Sequence, residues 1–300
     1  MEPLITVLTA TYNRATLLPD LFASLCRQTD KNFAWLIVDD GSTDNTCDLV
    51  RRWQAEFCDF PIGYVRSENG GKNRAINLGV TRIMTPFTMI VDSDDYLTDD
   101  AVAFLSRAAY AVRSEVGIAG IAGLKGEKDG DLEVPELMDF TCCNNLERSR
   151  HQLQYDACEV FKTHILREHP FTVWPGEKFV PEEVVWNQLA LEGYRLRWYR
   201  KVTCVVRYQK DGLTKGSWKL FQENPMGYAM LFNHRLMLPG GRYRKVDCVM
   251  QFIACCFLGR QLPYLLQCHE KALCLLLLVP GWFLSLRRKK QFRSYVPASA

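Results

Sequence analysis

Over the first 125 residues, short apolar runs alternate with stretches of helical periodicity, and few architectures accept that order. The runs are Leu4–Thr9, Phe33–Val38, Ile62–Val65, Phe87–Val91 and Val116–Ala122. Their length and β-branched content suit strands buried on both faces. Between them Leu17, Leu18, Leu21, Phe22 and Leu25 recur at helical spacing, and further helices are predicted over Asp44–Glu56, Lys72–Val80 and Asp99–Ala111. Such alternation predicts an α/β fold: a mostly parallel sheet with helices on both faces, its ligands at the carboxyl ends of the strands.

After residue 125 the order changes. Lys125–Gly130 reads as a polar loop, Gln154–Lys162 as a strand, Pro181–Leu191 as a helix stopped by Gly193, and Tyr194–Tyr208 as a strand extending the same sheet. From Phe221 onward the chain reads as helical and increasingly apolar, so we expect one domain over 1–220 and a helical extension over 221–300.

The bulk numbers exclude several classes. A net charge of +3, without aromatic–basic alternation, argues against a nucleic-acid partner. The 12 cysteines show no C-x-x-C spacing, which disfavours a zinc framework or a small disulfide scaffold. Reduced thiols in the cytosol account for them. With a strand-like run beginning at Leu4, no signal peptide is expected. Residues Ala272–Leu286 are uncharged and are followed by Arg287-Arg288-Lys289-Lys290. As a helix this run spans about 22 Å, short of the ~30 Å hydrocarbon core. It fits a segment lying on the cytoplasmic membrane surface, the alternative being a buried helix with a solvated basic tail.

Chemistry-bearing residues gather at four predicted strand ends. Thr11-Tyr12-Asn13-Arg14 follows the first, Asp39-Asp40-Gly41-Ser42 the second, Ser67 to Lys72 the third, and Asp92-Ser93-Asp94-Asp95 the fourth. In an open α/β sheet these ends converge on one crevice, which favours a nucleotide site. Tyr12 can stack on a base, and Asp39 can accept from a pyrimidine imide N–H. Gly70-Gly71 permits close backbone approach and Lys72 adds positive charge. Asp92 and Asp94, two apart on an extended segment, point the same way and suit a ribose and Mg²⁺ or Mn²⁺. Read locally, the same residues are turns and helix caps. No P-loop or dinucleotide fingerprint is present. Glu182 and Glu183 open a helix, where the dipole favours acids, and either could serve as a general base. Asp211-Gly212-Leu213-Thr214-Lys215 reads as a lid over a diphosphate or as a plain loop.

At these residues the chain resembles the family 2 glycosyltransferases of GT-A fold. The likeness covers roughly residues 3–215 and rests on Val7 to Arg14, Leu36 to Asp44, Gly71 to Asn77, and Asp92-Ser93-Asp94-Asp95, in the family's order. It implies an inverting, single-displacement transfer from a UDP-sugar to a glycan or lipid-linked acceptor. Residues 1–125 would serve the nucleotide sugar and 126–220 the acceptor. Thr11, Tyr12 and Asp39 would bind uracil, with Asn13, Arg14, Asp40, Gly71, Lys72 and Ser93 alongside. Asp92 would contact ribose, Asp94 the metal, and Glu182 or Glu183 would be the base. The chain departs from the pattern at Asn73, where the family often has His, at Glu183, where it often has Asp, and at Lys210-Asp211, where some relatives place a metal-binding His for which Asp211 would substitute. The Leu-rich, Pro-Gly-interrupted, basic C-terminus is similar to that of bacterial members that build surface polysaccharides. Two other readings are a catalytically silent membrane-bound partner and a sugar nucleotidyltransferase; the latter lacks its Gly-rich N-terminal loop.

Overall fold

The computed structural model describes residues 2–57, 59–126, 137–207, 217–239 and 242–294. Their contacts divide into two compact units, Met1–Phe171 with Val185–Arg207, and Thr172–Val184 with Tyr208–Ala300.

The first unit is built on one sheet. Strands β1 (Ile5–Thr11), β2 (Phe33–Asp39), β3 (Ile62–Arg66) and β4 (Phe87–Ile90) are parallel, in the order β3-β2-β1-β4. The short strand β5 (Tyr96–Leu97), β6 (Ile118–Gly126), β7 (Thr141–Cys143), β8 (Ala157–Lys162) and β9 (Arg195–Val205) complete it. Strand β8 inserts antiparallel between β4 and β6, and β9 lies parallel to β6 with β5 and β7 antiparallel against it.

Period-two alternation divides each central strand between two apolar layers. Ile5, Val7, Phe33, Trp35, Ile37, Phe87 and Met89 face one layer, which holds Leu18, Leu21 and Leu25 of α1 (Leu18–Arg27), Val50 of α2 (Thr46–Glu56) and Leu105 of α4 (Ala101–Val112). Leu8, Leu36, Val38 and Phe161 face the other. There they meet Ile76 of α3 (Lys72–Arg82), Ile165 of α5 (Thr163–Glu168) and Leu189 of α6 (Glu183–Leu191). Burial on both faces is why these strands read as unbroken apolar runs.

One local expectation changes. Lys125 and Gly126 are not loop but the last residues of β6, held by pairing with β9.

The second unit is helical: α7 (Ser217–Glu223), α8 (Pro225–Arg235), α9 (Arg242–Leu258), α10 (Lys271–Leu276) and α11 (Leu278–Ser294). Its core gathers Met226, Ala229, Val249, Phe252 and Ile253 with Cys255 and Cys256. Eleven cysteines are described across the chain, and all are free thiols.

Candidate active site

The parallel register brings the carboxyl ends of β1, β2, β3 and β4 to one rim, and hydrogen bonds join neighbouring ends. Asp40 N–H donates to the Thr11 carbonyl (2.8 Å) and Ser67 N–H to the Asp39 carbonyl (2.9 Å). Asn13 holds φ 53°, a left-handed conformation that Asn tolerates. From there its Oδ1 accepts from Thr43 N–H (2.7 Å) while its own N–H donates to Ser42 Oγ (2.9 Å). The loops after β1 and β2 thus form one platform, from which Tyr12 stays exposed and Arg14 half-buried.

Asp39 is 0% exposed. One carboxylate oxygen accepts from Ser42 N–H (2.7 Å) and the other from the Tyr64 hydroxyl (2.5 Å). Burial, and then this bond, pushes the Tyr64 hydroxyl pKa far up, so Tyr64 remains a donor. Beside them the Thr11 hydroxyl is 3% exposed and has no hydrogen-bond partner among the described residues. A buried unpaired hydroxyl is costly and is relieved by a ligand that bonds to it.

Asp40 organises the next loop. Its two oxygens accept from Gly70 N–H and Gly71 N–H, both at 2.8 Å. Gly71 takes φ 97° as α3 begins, a conformation that a side chain would strain. This fixes the start of α3 and delivers Lys72 to the rim.

The acidic turn after β4 is balanced by two lysines. Lys72 Nζ lies 2.6 Å from Asp92 Oδ1. Lys125 Nζ bridges Asp92 Oδ2 (3.1 Å) and Asp95 Oδ2 (2.8 Å). Burial alone would raise the Asp92 pKa, but Lys72 and Lys125 outweigh it and hold the carboxyl well below its ordinary range. Asp95 shifts upward instead, because burial and the nearby Asp92 oppose Lys125. Ser93 is buried within the turn, and Asp94 is half-buried. The Asp94 carboxylate makes no hydrogen bond or ion pair among the described residues.

Among the described residues no three His, Cys, Asp or Glu side chains cluster to hold a metal ion. A closed cage of protein ligands is therefore absent from them. A hard cation held by one carboxylate plus substrate phosphates fits Asp94, the acid of the turn that no described lysine neutralises. Asp211 lies outside the described residues.

In the second unit, Glu183 opens α6 and its carboxylate receives a two-point ion pair from Arg235 of α8, Nε to Oε1 at 2.9 Å and Nη2 to Oε2. This bond to Glu183 raises the Arg235 pKa. His234 beside it is buried, and burial, then the neighbouring His269, lowers its pKa. Glu182 precedes the helix and is half-buried.

Sequence reasoning did not single out Lys125, Tyr64 or Arg235. Lys125 stands at a strand end, the one available signal; Arg235 carries no local motif. A shallow cleft in the first unit, with Phe161, Trp186 and Trp198 in its walls, contains none of the predicted site residues.

Residues 6–132 match the model of the family described as Glycosyl transferase family 2. Glycosyltransferase GlyA of Streptococcus pneumoniae is 30% identical over 114 residues, 38% of this chain and 16% of the relative. The poly(ribitol-phosphate) beta-N-acetylglucosaminyltransferase TarS of Staphylococcus aureus is 28% identical over 186 residues, 59% of this chain and 30% of the relative. The chain spans less than half the length of these curated relatives. The crystal structure of TarS residues 1–349 aligns with TM-score 0.59 at 18% identity, over 97% of this chain and 81% of that one. A mannosyltransferase from Pyrobaculum calidifontis, solved with GDP-Man and Mn²⁺, aligns with TM-score 0.57 at 18% identity, over 98% and 84%. The matched segment runs from β1 through the strand-end rim to Lys125, so the part of the chain that carries the rim is similar to glycosyl transferase family 2.

Proposed function

We propose that this chain transfers a sugar from a UDP-sugar to a hydroxyl of a glycan or lipid-linked acceptor, inverting the anomeric centre in one displacement. The observation that carries this reading is the rim itself: a buried Asp39 and an unpartnered Thr11 hydroxyl at one end, and Lys72, Asp92 and Lys125 at the other. Uracil fits the first group, its imide N–H donating to Asp39 with Tyr12 against the ring. Ribose hydroxyls donate to Asp92, and Lys72 offsets charge on the diphosphate. Structures of TarS with UDP-GlcNAc support a UDP-sugar donor.

Asp94 would hold Mg²⁺ or Mn²⁺, which when bound neutralises the leaving diphosphate. In the displacement a carboxylate takes the acceptor hydroxyl proton, the hydroxyl oxygen bonds to the anomeric carbon, and the bond to the diphosphate oxygen breaks. We assign the base to Glu182, the acid that follows Pro181 immediately before α6. Free thiols at all described cysteines support a reducing, cytoplasmic setting, with the acceptor presented at the inner membrane surface.

The test is a screen of UDP-sugars for metal-dependent release of UDP, with Asp94→Ala as control. Release by the native chain that is lost in the variant supports the reading. Neither UDP binding nor release would favour a catalytically silent partner protein.

A further inference from the structure

We infer that the outer face of α10 and α11 is a docking surface for an anionic lipid bilayer. Helix α11 carries two apolar stripes. The inner one packs on α9: a Cβ added at Gly281 would meet Ile253 Cγ2 at 2.6 Å, Ser285 is buried, and Arg288 reaches Gln251 at 3.3 Å. Residues two apart on a helix lie about 200° apart, so a second stripe at Val279 and Phe283 must face away from α9. These are 60% and 58% exposed. Leu275 and Leu276 extend the stripe along α10, and Leu286 continues it. Five large apolar side chains at helical spacing on a solvent-facing surface mark an interaction site.

Charge selects the occupant. The stripe passes directly into exposed Arg287, Lys289 and Lys290, and the sequence from Lys271 to Ser294 contains no acid. A second copy docking through this face would meet the same cations, whereas anionic headgroups complement them. Trp282 and Phe283, with ring centroids 4.8 Å apart, stand between the apolar and basic parts, where aromatic side chains prefer the headgroup boundary. No described helix is long and apolar enough to cross a membrane, and Leu275 to Leu286 covers about 17 Å of helix. The face therefore lies in the plane of the interface. Attachment stands apart from catalysis; only its purpose, access to a lipid-linked acceptor, rests on the transferase reading.

The experiment is sedimentation of the full chain with phosphatidylcholine vesicles, with and without phosphatidylglycerol. Two variants accompany it: Arg287→Gln, Lys289→Gln and Lys290→Gln together, and Leu276→Ser with Phe283→Ser. All five positions are exposed, and circular dichroism checks the fold. We expect salt-sensitive binding only to the phosphatidylglycerol vesicles. Each cation contributes about fivefold, so the triple variant should bind about a hundredfold more weakly, and the double variant at least about tenfold more weakly. Absence of binding by the native chain, or equal binding by the triple variant, overturns the inference. So does a native dimer that the double variant converts to monomer without any vesicle binding. UDP release into water is read in parallel and should be unchanged in both variants. Absence of UDP release by the native chain, with its lipid binding intact, would count against the transferase reading alone.

Discussion

Lys125 is the residue on which the charge balance of the acidic turn rests, and Lys125→Met isolates its contribution. Its ammonium sits 3.1 Å from Asp92 and 2.8 Å from Asp95, and its side chain is 14% exposed. Without it Asp92 keeps Lys72, but Asp95, at 4% exposure, is left as a buried carboxylate with no cation beside it among the described residues. Removing one partner of a buried ion pair costs about 3–5 kcal/mol. Asp95 can relieve part of this by taking up a proton, since burial already raises its pKa and Lys125 is the main opposing influence. The lower figure, about 3 kcal/mol, is therefore expected near pH 8. A carboxyl with a folded pKa above the unfolded value of about 3.9 binds its proton more tightly when folded. Stability of the variant then falls as pH rises from about 4 until Asp95 is ionised. The deficit against the native chain should accordingly be smaller at pH 5 than at pH 8. Adding Asp95→Asn should recover at least half of the loss at pH 8, because no stranded charge remains. Urea unfolding read by hydrogen exchange of β4 and β6 amides reports the first unit alone. A loss below about 1 kcal/mol, an equal deficit at both pH values, or no recovery in the double variant would refute the reasoning.

Other consequences are as direct. Glu182→Gln should lower turnover by about 10²–10⁴-fold, while Glu183→Gln lowers it far less; the reverse order would move the base to Glu183. Gly71→Ala forces a side chain to φ 97° and should cost about 1–2 kcal/mol and weaken UDP binding through Lys72; unchanged affinity would show that the α3 start does not position that lysine. Burial would lower the His169 pKa, but its bonds to the Ile165 carbonyl (2.9 Å) and Glu192 (2.6 Å) outweigh it and raise it. The pair therefore stabilises the fold below the ordinary His pKa of about 6.5 and loses its effect as pH rises through the folded value. Glu192 is partly exposed, so His169→Ala should cost under about 1 kcal/mol more at pH 5.5 than at pH 8.5, measured by urea unfolding.

What was legible in the sequence follows from range. Strands β1 to β4 are buried on both faces, so their apolar runs identified them, and parallel order then placed Thr11, Asp39, Lys72 and Asp92 on one rim. Strands β5 and β7 are two and three residues long and exist only by pairing with β9, which leaves no periodicity to read. Lys125 looked like the start of a loop because its pairing partner on β9 lies about 80 residues away in the chain. The Glu183–Arg235 pair likewise spans 52 positions and two helices. Asp40 shows the same limit: its oxygens accept from the Gly70 and Gly71 amides about 30 positions away, a bond that no local pattern announces.

The central claim is that Asp39 reads the imide of a bound base. UDP and CDP test it, since uracil presents an N–H where cytosine presents a bare nitrogen. Competition binding to the full chain with Mn²⁺ should favour UDP over CDP by about 10²-fold or more, because CDP would face the buried carboxylate with an acceptor. Asp39→Asn should abolish that preference. Equal affinity of the native chain for the two nucleotides would contradict the account.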